Sequence, residues 1–487
     1  MNTKTFHKTI SLCLSMIFLL SVVSCREKNE AADVTISTTV VTENEEDTTQ
    51  PISEETAPVG ETDNATETAE DTTAEIPVIA PMETEITEIP VINIVTDDGK
   101  GIVSKNEYTH ASMSISCDEA SGLNAYQETN VGIQIRGRGN ASWNQFPKKA
   151  YRIKLDESCG LLGLKKDKDW VLVSSYPDKT LMRNVVAHEM AKQLTNLEFT
   201  PTHMLVELYI NGEYKGVYTL AEKIEFGGGK LEYTADPSLE DTSYLMEVGW
   251  DYNDEMIYGQ NYFDIEYIYR IVIKEPDFTA KYTPSGKYII NYMKKVEKTV
   301  KTLDGYDEYI DIDSLIDFLI ITEFTNNTEA VFYRSCYMYK PSGGKLKFGP
   351  AWDFDMAFGN HTSDIKGYNG WCSIDNTFSY LGKDGMTWYH FLFKDPEFTS
   401  QFAARWDEVK DTLLKTALDT IDKQYKAILN AQNRNFECWD ILNKKIGAGN
   451  VDYRTYNTFD LQVEYLRNFI KTRYNWIDTN ISEFRLK

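Results

Sequence analysis

The sequence predicts an α+β protein with two lobes, β-rich at about residues 90–280 and mainly helical at about 281–487. In the first half, apolar and polar side chains alternate in many short segments, which is typical of half-buried strands. In the second half, apolar residues recur every three to four positions, as in 287–301 and 314–323, which is typical of amphipathic helices. Strands that precede helices, rather than alternate with them, favour two packed lobes with a cleft between them.

The first 24 residues predict a lipoprotein signal peptide. A basic start is followed by an apolar run from Ile10 to Val23, too short to span a membrane, and small residues stand directly before Cys25. These small residues and the cysteine resemble the cleavage box of bacterial lipoproteins. We therefore expect lipidation of Cys25 and anchoring of the mature chain outside the cytoplasmic membrane, at the cell surface. The alternative is an ordinary secretory signal that is cut nearby.

Residues 25–89 predict a disordered acidic tether. Thr, Glu, Asp, Pro and Ala dominate, no aromatic residue occurs, and 18 acidic residues stand against two basic ones between Arg26 and Pro90. Such a segment buries too little apolar surface to offset the entropy lost on ordering. The tether contributes most of the formal net charge of −25, and so acidic a chain argues against nucleic-acid binding.

Residues 90–487 are rich in Tyr, Phe, Trp and Ile, which is enough for a large core. The cysteines of this part are odd in number, scattered and without C-x-x-C spacing, and no H-E-x-x-H sequence occurs. The sequence therefore indicates neither a zinc site nor a full disulfide framework. The five cysteines are Cys117, Cys159, Cys336, Cys372 and Cys438.

A loop that contains glycine and arginine, at 136–142, is the first candidate site. A predicted strand precedes it and another, 150–155, follows it, with Arg152 and Lys154 on the face opposite three apolar side chains. Exposed N–H groups of such a loop, beside a strand that offers a cation, are suited to hold a polyphosphate. The alternative is an ordinary hairpin whose glycines serve a tight turn.

Three shorter signals concern local structure. Asn211-Gly212, between two alternating segments, predicts a β-hairpin with a type I′ turn, and Glu222 follows its second strand. Asp178 and Asp313 each stand before a helix-like segment, so both are predicted helix caps.

The stretch 323–359 is the second candidate site. It leaves a helix-like run, passes through a predicted hairpin and ends on the sequence W-D-F-D-M at 352–356. In a strand, Asp353 and Asp355 would point to one face and the three apolar side chains into the core. Two carboxylates on one face suit a divalent cation such as Mg²⁺ or Mn²⁺. Acidic residues that merely cap the strand or contact solvent are the alternative.

Four blocks of sequence, taken together, resemble a known family. They are R-G-R-G-N-A-S-W from residue 136, D-K-T-L-M-R-N from 178, L-Y-I-N-G-E-Y-K-G-V-Y-T-L-A-E-K from 208 and G-P-A-W-D-F-D-M-A-F-G from 349. In this order and spacing they resemble the spore-coat CotH kinase-like family, over about residues 90–410. The resemblance implies an atypical, bilobal protein-kinase-like fold. It also implies binding of ATP with a divalent metal and transfer of the γ-phosphoryl group to Ser or Thr of a protein.

The resemblance also implies roles for single residues. Lys154 would be the strand cation that holds the phosphates, with Glu222 as a possible ion-pair partner. Asp353 would hold Mg²⁺, with Asp355 nearby, and Glu329 stands where the family commonly has an aspartate that acts as the catalytic base. The other nucleotide-binding residues would be Arg136, Gly137, Gly139, Asn140, Ser142 and Arg152.

Two positions depart from the family pattern. Glu329 replaces that aspartate and moves its carboxylate by one methylene, a misplacement that can lower a rate on the order of 10²-fold. Ser335 stands where an Asn metal ligand is common, and it would hold the metal more weakly than a carboxylate. A catalytically impaired pseudokinase is therefore one alternative, all the more because ATP is scarce outside the cell.

Two further alternatives remain. The first is a surface module that binds protein or glycan through three aromatic side chains, which this hypothesis predicts to be exposed: Tyr368, Trp371 and Trp388. The second is a glycosyltransferase in which D-x-D holds a metal and a nucleotide sugar.

Overall fold

The computed structural model describes most of the chain after residue 87. The predicted signal peptide, Cys25 and nearly all of the predicted tether lie outside the described residues. Ile89 is already buried in the core. The described residues are 88–117, 126–249, 258–259, 261–276, 283–361, 368–375, 382–447, 449 and 451–485.

Seven strands of the first half close into a β-barrel. Their order around the barrel is β1-β2-β3-β4-β5-β7-β6, and every neighbouring pair is antiparallel except β1 and β6, whose parallel pairing closes the barrel. The strands are β1 (Val91–Thr96), β2 (Thr109–Cys117), β3 (Tyr126–Arg138), β4 (Ala150–Cys159), β5 (Asp167–Val173), β6 (His203–Ile210) and β7 (Glu213–Glu222).

Alternation of side chains fills the barrel. Each strand turns every second residue inward, and the interior is packed with apolar side chains around the fully buried Trp170. On β4 the predicted faces are confirmed. Tyr151, Ile153 and Leu155 are buried, whereas Arg152 is half-buried and Lys154 exposed.

The predicted type I′ hairpin is also confirmed. Asn211 and Gly212 connect β6 and β7, and both have positive φ angles of 52° and 79°. The Asn211 side chain accepts a hydrogen bond from the Thr96 N–H at 2.9 Å, which ties the turn to the end of β1.

A second, five-stranded sheet lies outside the barrel, in the order β12-β11-β8-β10-β9. It combines strands from both halves of the chain, since β11 pairs with β8 across about 90 residues of sequence. The structure is therefore a mixed fold of strands and helices, and it does not divide clearly into two kinase-like lobes at residue 280. The strands are β8 (Tyr244–Val248), β9 (Tyr262–Phe263), β10 (Ile271–Glu275), β11 (Cys336–Lys340) and β12 (Lys347–Phe348).

The helices pack against one face of this sheet and form the largest core. Asp311, not the predicted Asp313, caps α4, because its side chain accepts the Ser314 N–H at 2.9 Å. Among the described residues, none of the helices is both long and apolar enough to cross a membrane. The helices are α1 (Ala141–Asn144), α2 (Arg183–Ala191), α3 (Pro284–Thr302), α4 (Ile312–Thr325), α5 (Tyr389–Leu392), α6 (Pro396–Cys438) and α7 (Phe459–Asn480).

Helix α2 begins differently from the prediction. Its N-cap is Met182, but the Asp178 carboxylate still accepts the Arg183 N–H at 2.9 Å and pairs with the Arg183 guanidinium, and both side chains are fully buried. One turn further, His188 stacks on His203 with ring centroids 3.5 Å apart. Burial lowers the pKa of His188 to about 4.

The low pKa of His188 predicts a stability that is lost on acidification. The unfolded chain takes up this proton near pH 6.5 and the native protein only near pH 4, so the contribution of His188 to the free energy of unfolding should fall as the pH drops through this window. Between pH 7.5 and 5 this contribution should fall by about 2 kcal/mol. Urea unfolding of wild type and His188→Gln at both pH values measures it as the difference between the two proteins.

The contrary outcome has a clear structural meaning. The two ring nitrogens of His188 face the carbonyl oxygens of Asn184 and Ala351 at 2.7 and 3.2 Å, and both could accept from an imidazolium. An equal change of stability in wild type and His188→Gln on acidification would therefore mean that His188 is charged in the native protein.

Candidate active site

A cavity of about 490 Å³ lies between the outside of the barrel and the second sheet. Ala150 of β4 and Val173 of β5 line the barrel side, and Glu247 of β8, Lys274 of β10 and Tyr337 of β11 line the sheet side. Three loops, at 138–146, 329–335 and 352–361, contribute most of the other lining residues. This volume is in the range of pockets that bind cofactors and other small molecules.

The acidic sequence at 352–356 is not a strand. Strand β12 ends at Phe348, and Asp353 has a φ of 66°, in the left-handed region. Backbone groups here form hydrogen bonds with side chains rather than with a neighbouring strand. Asn327 donates to the Asp353 carbonyl at 3.0 Å, and Asn184 accepts the Phe354 N–H at 2.8 Å. The predicted strand is therefore wrong, and Met356 lines the cavity instead of the core, whereas Trp352 and Phe354 are buried as predicted.

Asp353 and Asp355 nevertheless both line the cavity. The Ser335 hydroxyl donates to the Asp353 carboxylate at 3.0 Å. The Asn360 side chain donates to the Asp355 carbonyl at 2.8 Å and to the Pro177 carbonyl at 3.1 Å, which ties this loop to the segment before α2. The two carboxylates therefore lie together, as predicted, because hydrogen bonds hold the loop at 352–361, and not because side chains alternate along a strand.

Glu329 faces the same cavity from the loop after α4. Its carboxylate lies 3.5 Å from the Arg334 guanidinium and 3.9 Å from the ring of His361. Its carbonyl oxygen accepts the Arg334 N–H at 2.9 Å, so the loop is folded back on itself. The structure thus gathers Glu329, Ser335, Asp353 and Asp355, which are separated by up to 26 residues in the sequence.

The carboxylates in the cavity repel one another. Burial raises the pKa of Glu329 to about 7; Arg334 opposes this shift, and the charge of Asp353 adds to it. Burial, together with the charges of Asp353 and Glu329, holds the pKa of Asp355 well above its usual range. At neutral pH these three carboxyl groups together therefore carry fewer than three negative charges. A bound cation would reduce the repulsion between them.

The donors form part of a set that would fit a hard divalent cation. Among the described residues, no group of three or more His, Cys, Asp or Glu side chains is arranged to hold a metal ion by itself. Mg²⁺ commonly takes one or two protein carboxylates and completes its shell with water and phosphate oxygens. Asp353 and Asp355, with the Ser335 hydroxyl beside them, supply such a partial set.

The glycine-containing loop reaches the cavity with only part of its predicted residues. Gly139, Asn140 and Ser142 line it, as does Arg138, whose guanidinium lies over the Trp352 ring at 5.5 Å. Gly139 has a φ of 84°, and a Cβ there would meet the Ser142 hydroxyl at 2.0 Å, so this turn requires glycine.

Arg136 and Gly137 do not line the cavity. Arg136 donates to the Lys105 carbonyl and lies over the Tyr108 ring at 5.1 Å. The Cα of Gly137 is covered by the Trp143 ring, which a Cβ would approach to 2.4 Å. The nucleotide-binding role predicted for these two residues finds no geometric support.

The predicted strand cation lies away from the cavity. Ala150 is the β4 residue that lines it, and Arg152 and Lys154 follow two and four residues further along the same outer face. Arg152 pairs with Asp169 at 3.0 Å, and Glu222 accepts the Thr202 N–H at 2.8 Å. The ion pairs of the described residues include none between Lys154 and Glu222, so the structure does not bring these predicted residues together with Asp353.

Sequence reasoning missed three cations that do line the cavity: Arg138, Lys274 and Arg334. Lys274 pairs with Glu247 at 2.9 Å across β10 and β8. Side chains around Lys274 alternate in the sequence as in a strand, but this pattern does not reveal which strand lies next to it.

The predicted aromatic surface is wrong for two of its three residues. Trp371 is 5% exposed and Trp388 is fully buried, because both pack into the helical core. Tyr368 is 46% exposed.

Comparison with known proteins gives one family. A family model described as CotH kinase protein matches residues 133–477, from the middle of β3 to near the end of α7. The match contains all the cavity residues discussed above. No curated protein matches the chain by sequence.

The carboxylate repulsion predicts that Asp353→Asn stabilises the metal-free protein. The asparagine oxygen can still accept from Ser335, while the charge that raises the pKa values of Glu329 and Asp355 is lost. The gain in the free energy of unfolding should be about 1 kcal/mol. Urea unfolding in EDTA measures it, with Asp419→Asn, an exposed residue of α6, as the control.

Addition of Mg²⁺ should narrow the difference. The metal should raise the unfolding midpoint of wild type by more than that of Asp353→Asn, which has lost one of the two carboxylates. A variant that is less stable than wild type in EDTA would mean that Asp353 is needed for the fold of this loop rather than for a ligand.

Proposed function

We propose that this chain, which belongs to the CotH kinase family, transfers the γ-phosphoryl group of ATP to a Ser or Thr hydroxyl of a protein. One observation carries the proposal. Two segments of the family match that are about 190 residues apart in the sequence, the loop at 138–142 and the acidic residues at 329–355, converge on one cavity of suitable size. Phosphoryl transfer depends mainly on positioning and on charge neutralisation, which such a cavity can supply.

Asp353, Asp355 and Ser335 would hold Mg²⁺ or Mn²⁺, which supplies positive charge to the phosphate oxygens. The protein prepares this position before any ligand binds. Asn327 and Asn184 fix the backbone around Asp353, and the Ser335 hydroxyl fixes its carboxylate. The shorter Ser335 side chain, in place of the family's amide, thus orients a ligand even where it coordinates weakly.

The phosphates would lie between the loop at 138–142 and β10. Arg138, Asn140 and Ser142 offer donors on one side, and Gly139 allows the close approach of backbone to ligand. On the other side, Lys274 offers an ammonium group that Glu247 orients at 2.9 Å. We assign the phosphate-binding cation to Lys274 rather than to Lys154.

Glu329 would act as the base. A carboxylate with a pKa of about 7 can accept a proton at neutral pH, and the value suits general-base catalysis. In the step, the acceptor hydroxyl oxygen forms a bond to the γ-phosphorus, and the bond from that phosphorus to the bridging oxygen breaks. The electron pair of that bond leaves with ADP, and the hydroxyl proton passes to Glu329.

For the cellular location and the phosphoryl acceptor, the proposal follows the sequence analysis. We propose a bacterial lipoprotein that is anchored by acylated Cys25 and reaches its protein acceptor through the acidic tether. Glu329 and Ser335, as departures from the family pattern, favour a second candidate, a pseudokinase that binds nucleotide without turnover. Burial of Trp371 and Trp388 removes the aromatic surface on which a purely scaffolding role depended.

Loss of the proposed metal-binding carboxylate of Asp353 should greatly slow phosphoryl transfer. With Mg²⁺ or Mn²⁺, labelled ATP and a mixture of protein acceptors, the purified protein should transfer label to Ser or Thr. Asp353→Asn should lower this rate by about 10²-fold or more, and Asp419→Asn should leave it unchanged. Undiminished transfer by Asp353→Asn contradicts the proposal. Nucleotide binding without transfer in wild type supports the pseudokinase, and a thermal shift with UDP-sugars but not with ATP supports a glycosyltransferase.

Two lysine variants test the phosphate-binding cation. Lys274→Ala should weaken ATP binding, measured by calorimetry, by about 10-fold, because it removes a charge-assisted contact from the cavity. Lys154→Ala should bind ATP as wild type does, since Lys154 is exposed on β4 outside the cavity. The reverse result would restore Lys154 to the site and remove Lys274 from it.

A further inference from the structure

Arg334 is a cavity residue to which the family resemblance assigned no role. It lies between the proposed base and a proposed metal ligand, five residues after Glu329 and directly before Ser335. Phe332 and Ser335 on either side of it have positive φ angles of 63° and 53°. The loop therefore turns sharply on both sides of Arg334, and this conformation presents its side chain to the cavity.

The guanidinium is oriented by a stacking contact. It lies over the ring of Tyr333 at 4.2 Å and donates to the hydroxyl of the same residue. Stacking of this kind fixes the plane of the guanidinium without using its remaining donors. Tyr333 thus orients Arg334 from one side of the guanidinium.

The contact with Glu329 leaves much of the guanidinium unused. The nitrogen-to-oxygen distance of 3.5 Å is well above the 2.7–2.9 Å of a tight charge-assisted hydrogen bond. The Nε–H is buried and has no hydrogen-bond partner, while the side chain as a whole is 40% exposed. A buried donor without a partner costs free energy unless a ligand accepts from it.

We infer that Arg334 is a catalytic residue that binds the transferred phosphoryl group. The inference rests on the proposed kinase function. The donors of the planar fork that Tyr333 does not take match the oxygens of a phosphoryl group, and Arg334 lines the same cavity as Glu329 and Asp353. As the bond to the acceptor oxygen forms and the bond to the ADP oxygen breaks, charge spreads over these phosphoryl oxygens, and the guanidinium stabilises it.

The test separates contact with the γ-phosphoryl from contact with the rest of the nucleotide. Arg334→Gln should lower kcat by about 10²-fold. Calorimetry with Mg²⁺ should show about 10-fold weaker binding of ATP and unchanged binding of ADP, which lacks the phosphoryl group. Arg334→Lys should recover part of both losses, because it keeps the charge but not the fork.

Arg454 offers a matched control. It also follows a tyrosine and lies over that ring, Tyr453, at 5.5 Å, but it is exposed and does not line the cavity. Arg454→Gln should therefore leave kcat and both affinities unchanged. Thermal unfolding of all three variants establishes that each is folded under the assay conditions.

Three results would overturn the inference. An unchanged kcat in Arg334→Gln removes the catalytic role, and a raised kcat would mean that Arg334 restrains Glu329 instead. Equal weakening of ATP and ADP binding places the guanidinium elsewhere on the nucleotide. If wild type transfers no phosphoryl group, the proposed activity fails, and the comparison of ATP with ADP still decides whether Arg334 contacts the third phosphate.

Discussion

The candidate site depends on the left-handed backbone conformation at Asp353. This turn lies five residues after the end of β12, and around it two carboxylates line the cavity while Trp352 and Phe354 stay buried. A non-glycine residue at such a φ is strained, and the strain persists only where the surroundings hold it. Here helix α2 holds it through Asn184, and the loop after α4 holds it through Asn327. Two segments that are distant in the sequence therefore hold this one turn.

That turn concentrates negative charge in a way that opposes folding. Asp353, Asp355 and Glu329 face one cavity, and two of them have raised pKa values. The packed barrel around Trp170 and the helical core offset this cost, since both bury many large apolar side chains. A stable frame that carries a repulsive cluster is typical of sites whose stability is completed by a ligand. The cluster thus makes sense as a binding site and not as a structural element.

The sequence predicted what is local and missed what is topological. Strand faces on β4 and the turn at Asn211-Gly212 follow from the period of two and from positive φ angles, and both were correct. The parallel pairing of β1 with β6 and the pairing of β8 with β11 join segments about 90 to 115 residues apart, and no local pattern records them. For that reason Lys154 was expected in the site and Lys274 was not. The sequence correctly indicated that Asp353 and Asp355 lie together, but it predicted a strand where the structure has a turn. Asn184 and Asn327 bind the backbone here in place of a neighbouring strand.

Glu329 and Ser335, the two residues that depart from the family pattern, lie in the same loop after α4. Glu329 is one methylene longer than the family's aspartate, and its carboxylate stops 3.5 Å from Arg334 in the same loop. A shorter side chain from the same backbone position would reach less far and would widen that gap. Ser335 is shorter than the family's asparagine, yet its hydroxyl donates directly to Asp353. Glu329 therefore contacts Arg334 within the cavity, and Ser335 contacts Asp353. These two contacts are the structural argument for the proposed kinase over the proposed pseudokinase.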